Sequence, residues 1–375
     1  MSLGQPAIKQ IQSPAIWSPR FYLGKAGLLA VDHLVANSKG PESHILKDIW
    51  VDLKRGLLCA TGDVSEETLA EQEAATVWER RDFFWEGYAV GLGAVHALTF
   101  SRGNPERRSR RRTGFRGMLY TGYGYWNGVA ARYFLPRLSM DPEAWSDIPD
   151  FAQSLPIEIG GEAFTRVMLE RQITAEFFRS FEQNLDPIST LAAWHGCGRA
   201  LWIRWTGDFE KLGSLVQCYP PARPALALGL GIAIAFTQVG SPDRVIRAVQ
   251  HLPAAIQRSV TWGCATALAL KVDQNRAESD RIYTLYSGDL LRFMDEVLRV
   301  YAEAQSAAAA SGESWYGKFF DALQSRDEGC NKVRPPEPER KKRTRERGTT
   351  GGTPAECCLS SCEKLKWTRR RAHRR

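Results

Sequence analysis

Two short stretches hold the side chains best suited to chemistry. In Trp194-His195-Gly196-Cys197-Gly198-Arg199-Ala200-Leu201-Trp202, an imidazole, a guanidinium and an indole stand at i, i+4 and i+7. On a helix, His195, Arg199 and Trp202 share one face. Such a trio suits an anionic or aromatic ligand, through charge-assisted hydrogen bonds and the face of the indole. The same spacing equally describes an aromatic helix packed in a core, with Arg199 running its stem to the surface. The second stretch is Phe83-Phe84-Trp85-Glu86-Gly87-Tyr88. Glu86 among aromatics is a candidate buried acid, because burial disfavours the charged carboxylate. It is equally placed to pair with an arginine of the Arg107–Arg116 run. Tyr123, within Tyr120-Thr121-Gly122-Tyr123-Gly124, adds a phenol beside closely spaced glycines. The candidate ligand-binding residues are therefore Glu86, Tyr123, His195, Arg199 and Trp202, with no catalytic set assigned.

Motifs that would name a reaction are missing. Four Gly-x-Gly triplets begin at Gly91, Gly122, Gly196 and Gly229. The dinucleotide fingerprint needs Gly or Ala at its sixth position for close strand–helix packing; here that position is His96, Asn127, Leu201 or Ile234. There is no Gly-Lys-Ser/Thr phosphate loop, no Gly-x-Ser-x-Gly and no His-Glu-x-x-His. No two histidines lie within four residues of each other, and Cys357, Cys358, Cys362 and His373 lack the spacing of a zinc site. No cofactor and no metal are expected. The other cysteines, Cys59, Cys197, Cys218, Cys264 and Cys330, stand singly and read as buried structural thiols.

The elements that must position these residues show a periodicity. Pro187, Pro220 and Pro253 recur at a step of 33 residues, as do Asn184, Gln217 and Gln250. Gly196 recurs as Gly229, Gly198 as Gly231, and Ala200 as Ala233; a third copy slips to Trp262-Gly263-Cys264. A step of this size marks a supersecondary unit stacked on itself. Within a unit, Leu212, Leu215 and Val216 fall at helical spacing, as do Val245, Ala248 and Val249. Ser241-Pro242-Asp243 is a helix-start signal through side-chain capping and a first-turn proline. The following segment, Ala225–Phe236, alternates small and large residues, a pattern shared with strands. Its alanines favour a helix, buried all round. Gly87, Gly122 and Gly160-Gly161 extend the series toward the N-terminus at looser intervals.

Charge divides the chain. Residues 331–375 hold 15 Lys/Arg against 5 Asp/Glu, and residues 1–330 hold 35 against 37, so the tail carries +10 and the body −2. The tail is poor in large apolar groups and is expected to be disordered. It is either an attractant for nucleic acid or simply solvated. The Arg107–Arg112 run beside Tyr120–Trp126 offers a second basic surface, or a solvated loop. The longest apolar run, Ala225–Phe236, is too short to span a bilayer. No export signal is visible, so a cytoplasmic location is expected.

The order of motifs resembles a known family. Phe84-Trp85-Glu86-Gly87 with Gly91 is followed by Tyr120-Thr121-Gly122-Tyr123-Gly124, then Gly196-Cys197-Gly198-Arg199-Ala200-Leu201-Trp202. Tyr219-Pro220-Pro221-Ala222-Arg223 then leads to Gly229-Leu230-Gly231-Ile232-Ala233. This is similar to a bacterial uncharacterised domain family whose members occur beside enediyne polyketide biosynthesis genes, over roughly residues 45–275. The resemblance implies an association with natural-product biosynthesis. It supplies no reaction, cofactor or catalytic residue. The 331–375 tail departs from the family pattern, and Glu158-Ile159-Gly160-Gly161 stands where the family carries an Asp-Gly-Tyr-Gly-like element.

The expectation is an all-α chain of tandem helical hairpins of about 33 residues, solenoid-like. It has an N-terminal arm at 1–45, a repeat domain at 46–325 and a disordered basic tail at 326–375. The expected function is an accessory, interaction or ligand-binding role in such a pathway, with a biosynthetic protein or an apolar small molecule as partner. The alternatives are a cofactor-free enzyme acting on an apolar intermediate through Glu86, His195 and Arg199, and nucleic-acid binding through the tail.

Overall fold

The computed structural model describes residues 19–99, 115–140, 145, 151–274, 276–311 and 314–329. The Arg107–Arg112 run, Cys330 and the 331–375 tail lie outside them, as do the expectations attached to each. Among the described residues there are fifteen α-helices and no strand. They are α1 (Pro19–Ala36), α2 (Lys47–Gly62), α3 (Glu66–Ala74), α4 (Arg81–Leu98), α5 (Arg116–Tyr133), α6 (Phe151–Leu169), α7 (Ala175–Asn184) and α8 (Pro187–Trp205). There follow α9 (Phe209–Gln217), α10 (Arg223–Gln238), α11 (Pro242–His251), α12 (Ala254–Gln274), α13 (Arg276–Leu285), α14 (Gly288–Ser311) and α15 (Trp315–Gly329). The ambiguous segment Ala225–Phe236 is α10, as its alanine content favours. Residues 19–36 of the expected arm form a helix, α1, packed on α2 and α4. The last helix runs to Gly329, past the expected boundary at 326.

Short helices alternate with long ones through the middle of the chain. Asp186 caps α8 by accepting from the Ser189 N–H at 3.0 Å, and Asp208 caps α9 through the Lys211 N–H at 3.2 Å. Ser241 makes no such side-chain bond, contrary to expectation; Pro242 alone opens α11. The short helices α9 and α11 bury one stripe each, Leu212 and Val216 in one and Val245 and Ala248 in the other. The long helices are buried nearly all round, α10 most completely.

Those long helices pack in chain order: α2 on α4, then α5, α6, α8, α10, α12 and α14. Their contacts run in parallel register. A bond from Arg204 reaches the Val167 carbonyl, and the Trp202 indole meets Thr237. The joints between them share one construction. A Cβ at Gly87 would collide with the carbonyl of Leu53, one at Gly122 with that of Glu86, and one at Gly161 with that of Thr121. The same holds for Gly196 against Gly160, Gly229 against His195, and Gly263 against Leu228. All six would come within 3.0 Å, closer than real Cβ atoms approach anything. From Gly122 onward, each joint glycine sits on the carbonyl of the residue just before the previous joint glycine. The step is 33 residues from Gly196 to Gly229 and reaches 39 from Gly122 to Gly161. Glycine here serves the approach of backbone to backbone, which outweighs its cost in a helix of about 1 kcal/mol against Ala.

Candidate functional site

The joints put chemistry on one helix face. The residue before each joint glycine is Glu86, Thr121, Gly160, His195, Leu228 or Trp262, and three residues after it stands Val90, Tyr125, Phe164, Arg199, Ile232 or Thr266. These two positions are four apart and share a face on each helix. Neighbours within the second row touch: the Tyr125 and Phe164 rings lie 4.6 Å apart.

Glu86, Tyr125 and Arg199 meet inside this arrangement. Glu86 is 5 % exposed and hydrogen-bonded with the Tyr125 phenol. Burial pushes its carboxyl up to about 8, and the nearby Asp82 adds to the rise; Arg199, the Tyr125 bond and Lys271 oppose it. At neutral pH Glu86 is thus mostly a neutral acid. Burial and the Glu86 charge together hold the Tyr125 phenol well above the usual range. Arg199 is partly exposed and bonds Thr121 Oγ1 at 3.5 Å. It passes so close to Gly160 that a methyl there would lie 3.4 Å from its Nη2. Among the described residues no carboxylate forms an ion pair with Arg199.

His195 lies one turn before Arg199. Its Nδ1 and the Tyr316 hydroxyl of α15 are 2.9 Å apart, and the Phe320 ring packs on it with centroids at 4.1 Å. Burial, with help from Arg199, holds the imidazole down at about 3, so the ring is neutral at physiological pH. Beside it opens a narrow cleft of about 20 Å³, room for about one water molecule, between α8, α10, α12 and α15. Its walls are apolar (Leu191, Leu228, Phe320 and Leu323 among them), with His195, Ser259 and Trp262 as the polar additions. The buried indole N–H of Trp262 has no hydrogen-bond partner among the described residues. A buried donor without a partner carries a desolvation cost of about 1–3 kcal/mol, which an acceptor arriving in the cleft would relieve.

A second polar pair closes the other end. Lys271 of α12 is ion-paired with Asp82 of α4, both almost fully buried, and Arg81 bonds Glu278 at 2.9 Å. The Lys271 ammonium also donates to the Glu79 carbonyl at 3.1 Å. These bonds fasten the start of α4 to the end of α12.

Of the five residues singled out from the sequence, the structure brings Glu86, His195 and Arg199 into one neighbourhood. Glu86 is hydrogen-bonded with Tyr125 and feels Arg199 through its charge, while the Arg107–Arg112 run offered as its alternative partner lies outside the described residues. Tyr123 packs in a separate aromatic group, 5.5 Å from Trp145 and 6.3 Å from Tyr120 between ring centroids. Trp202 donates to Thr237 Oγ1 at 2.9 Å and packs toward Phe209. Its seven-residue spacing from His195 keeps it on a common face but about 10 Å further along α8, where its indole meets Thr237 of α10. Sequence reasoning missed Tyr125, Asp82, Lys271 and Tyr316. Tyr125 was within reach, since it follows Gly122 by the same three residues that separate Arg199 from Gly196. Tyr316, 121 residues from His195, left no local signal.

Cys59, Cys197 and Cys264 are buried free thiols, whereas Cys218 is exposed, against the expectation of burial. It follows the last turn of α9, outside that helix's buried stripe. Among the described residues no group of His, Cys, Asp and Glu is arranged to hold a metal ion, and no helix is long and apolar enough to cross a membrane. No family model, curated protein or solved structure matches the chain.

Proposed function

We propose that the protein binds a small apolar molecule in the cleft between α8, α10, α12 and α15, as an accessory of natural-product biosynthesis. The observation that carries the binding role is the cleft itself: apolar walls with a neutral imidazole and an unpartnered indole N–H beside them. Ligand sites combine a mostly apolar lining with a few placed polar groups, commonly between helices of a bundle. The biosynthetic setting rests on the family resemblance of the glycine-rich segments alone. The test is calorimetric titration of the full chain with methyl 2-naphthoate, a neutral aromatic probe that the side chains of the cleft must part to admit. Saturable one-to-one binding, weakened at least tenfold by the cleft-filling substitution Ala225→Leu, is the expected result. Absence of saturable binding, or binding that Ala225→Leu leaves unchanged in a folded protein, rejects the role.

A second reading is favoured by one feature, the carboxyl of Glu86. An acid whose proton is exchanged near neutral pH, hydrogen-bonded to a phenol and beside a guanidinium, is matched to general acid–base catalysis. In that reading the protein is a cofactor-free enzyme acting on an apolar intermediate. Turnover of a bound metabolite that disappears in Glu86→Gln while binding persists would establish it.

A further inference from the structure

We propose that a surface groove between α13 and the short 3-10 helix Trp78–Arg80 binds a small zwitterion with an apolar body, an α-amino acid or a molecule built like one. This site is separate from the cleft at His195 and does not depend on the function proposed for that cleft.

The groove follows from how α13 is fastened. At one end Arg81 donates to Glu278 at 2.9 Å, and at the other the Tyr286 hydroxyl donates to the Val239 carbonyl at 2.9 Å. Glu278 and Tyr286 are both buried. Between these ties, Asp280 with Thr284 and Arg281 with Leu285 stand four residues apart on neighbouring rows of α13. They line, together with Trp78 and Glu79, an opening of about 470 Å³. Pockets that hold small molecules span roughly 300–1,000 Å³. The wall opposite α13 is held from beneath. Lys271, ion-paired with Asp82, donates to the Glu79 carbonyl at 3.1 Å and to the Trp78 carbonyl at 3.5 Å. Gly240 leaves room for the Glu79 side chain, since a Cβ there would stand 3.0 Å from Oε1.

The lining carries charge of both signs. Glu79 and Asp280 supply carboxylates from opposite walls, and Arg281 supplies a guanidinium 5.8 Å from the centroid of the Trp78 ring. Among the described residues none of these three forms an ion pair, whereas Arg81, Glu278, Lys271 and Asp82 beside them are all paired. Their bonding capacity is therefore open to a ligand. An ammonium donates to carboxylates, and a carboxylate accepts two parallel bonds from a guanidinium. A ligand with a single charge would satisfy one set and leave the other unanswered. The half-buried indole of Trp78 and the exposed Leu285 add apolar surface in the same groove, suited to an aromatic or aliphatic side chain.

The experiment compares tryptophan, tryptamine and indole-3-propionic acid, which share an indole and differ in charge. Calorimetry on the full chain at pH 7 should show tryptophan binding one-to-one, about fivefold more tightly than either singly charged compound, the size expected of a solvent-exposed ion pair. Arg281→Met should bring tryptophan down to the level of tryptamine without weakening tryptamine. Glu79→Gln should weaken tryptophan and tryptamine together and spare indole-3-propionic acid. Thr284→Phe, on the exposed face of α13, fills the groove and should abolish binding of all three. Near-ultraviolet circular dichroism checks that each variant is folded. Absence of tryptophan binding, equal binding of the three compounds, or a tryptophan affinity that Thr284→Phe leaves unchanged in a folded protein overturns the site.

Discussion

Glu86 and His195 hold the same place in the fold: each directly precedes a joint glycine, Gly87 or Gly196, and each lends its carbonyl as the seat for the next one, Gly122 or Gly229. Their backbones are therefore fixed from both sides by neighbouring helices. Side chains at these positions inherit that rigidity, which a preorganised site requires. The same joints that hold the helices together thus position the acid and the imidazole.

The joints make a strong prediction about stability. Gly196→Ala and Gly229→Ala each force two helix backbones apart, because the added carbon meets a carbonyl and no side chain can give way. Each should cost about 3 kcal/mol or more, at the upper end of overpacking effects. Gly288→Ala meets no atom within 4 Å and is strained only by its φ of +66°, so about 1 kcal/mol is expected. Urea unfolding of the three variants checks the ranking.

Burial of Glu86 sets a slope of stability with pH. Its folded-state affinity for a proton, at about 8, exceeds the value of 4.5 for an unperturbed glutamate. Between those values the folded state holds more protons than the unfolded one, so stability falls as pH rises, and the fall levels off above about 8. The total is at most several kcal/mol. In Glu86→Gln this contribution is absent. Unfolding midpoints at pH 6 and pH 8.5 should differ less for the variant than for the unaltered chain; equal differences would remove Glu86 as the source.

The Lys271–Asp82 pair should behave as a buried ion pair does. Lys271→Met leaves the Asp82 carboxylate buried without its counter-ion and should destabilise by about 3–5 kcal/mol. Replacing both, Lys271→Met with Asp82→Leu, should recover most of that loss. A double-mutant cycle by chemical denaturation measures the coupling.

Thiol labelling should separate the cysteines. Burial pushes Cys59 up to about 11 and raises the Cys197 and Cys264 thiols further, suppressing the reactive thiolate. Cys218 is exposed. Brief treatment of the native protein with iodoacetamide, followed by peptide mapping, should modify Cys218 and spare the other three. Modification of all four at similar rates would contradict the packing of α2, α8 and α12.

The all-helical class was legible in the sequence, and glycine spacing marked several of the close helix contacts. The recurrence of Gly196 as Gly229 reflects identical joints, and the alanines of α10 settled its helical state where alternation alone did not. Extension through Gly87, Gly122 and Gly160-Gly161 was harder to read, since the intervals there lengthen. Physically, only the joint is fixed; the chain between two long helices varies in length without disturbing it. Among the candidate residues, Glu86, His195 and Arg199 lie near one another, whereas Tyr123 packs apart on Trp145; the proximity of Tyr125 to Glu86 follows from the helix register, which residue type alone does not carry. The contact of His195 with Tyr316 depends on the return of α15 and has no counterpart in spacing.

The glycine joints also divide the sequence for evolution. Any single-nucleotide missense change in a glycine codon introduces an atom where a neighbouring backbone already stands, so those sites have almost no permitted neighbours in sequence space. The flanking inner positions differ in type, with Glu86, Thr121, Gly160, His195, Leu228 and Trp262 in one slot. Lineages built on this plan can exchange the side chains lining the interior while the scaffold's spelling stays frozen.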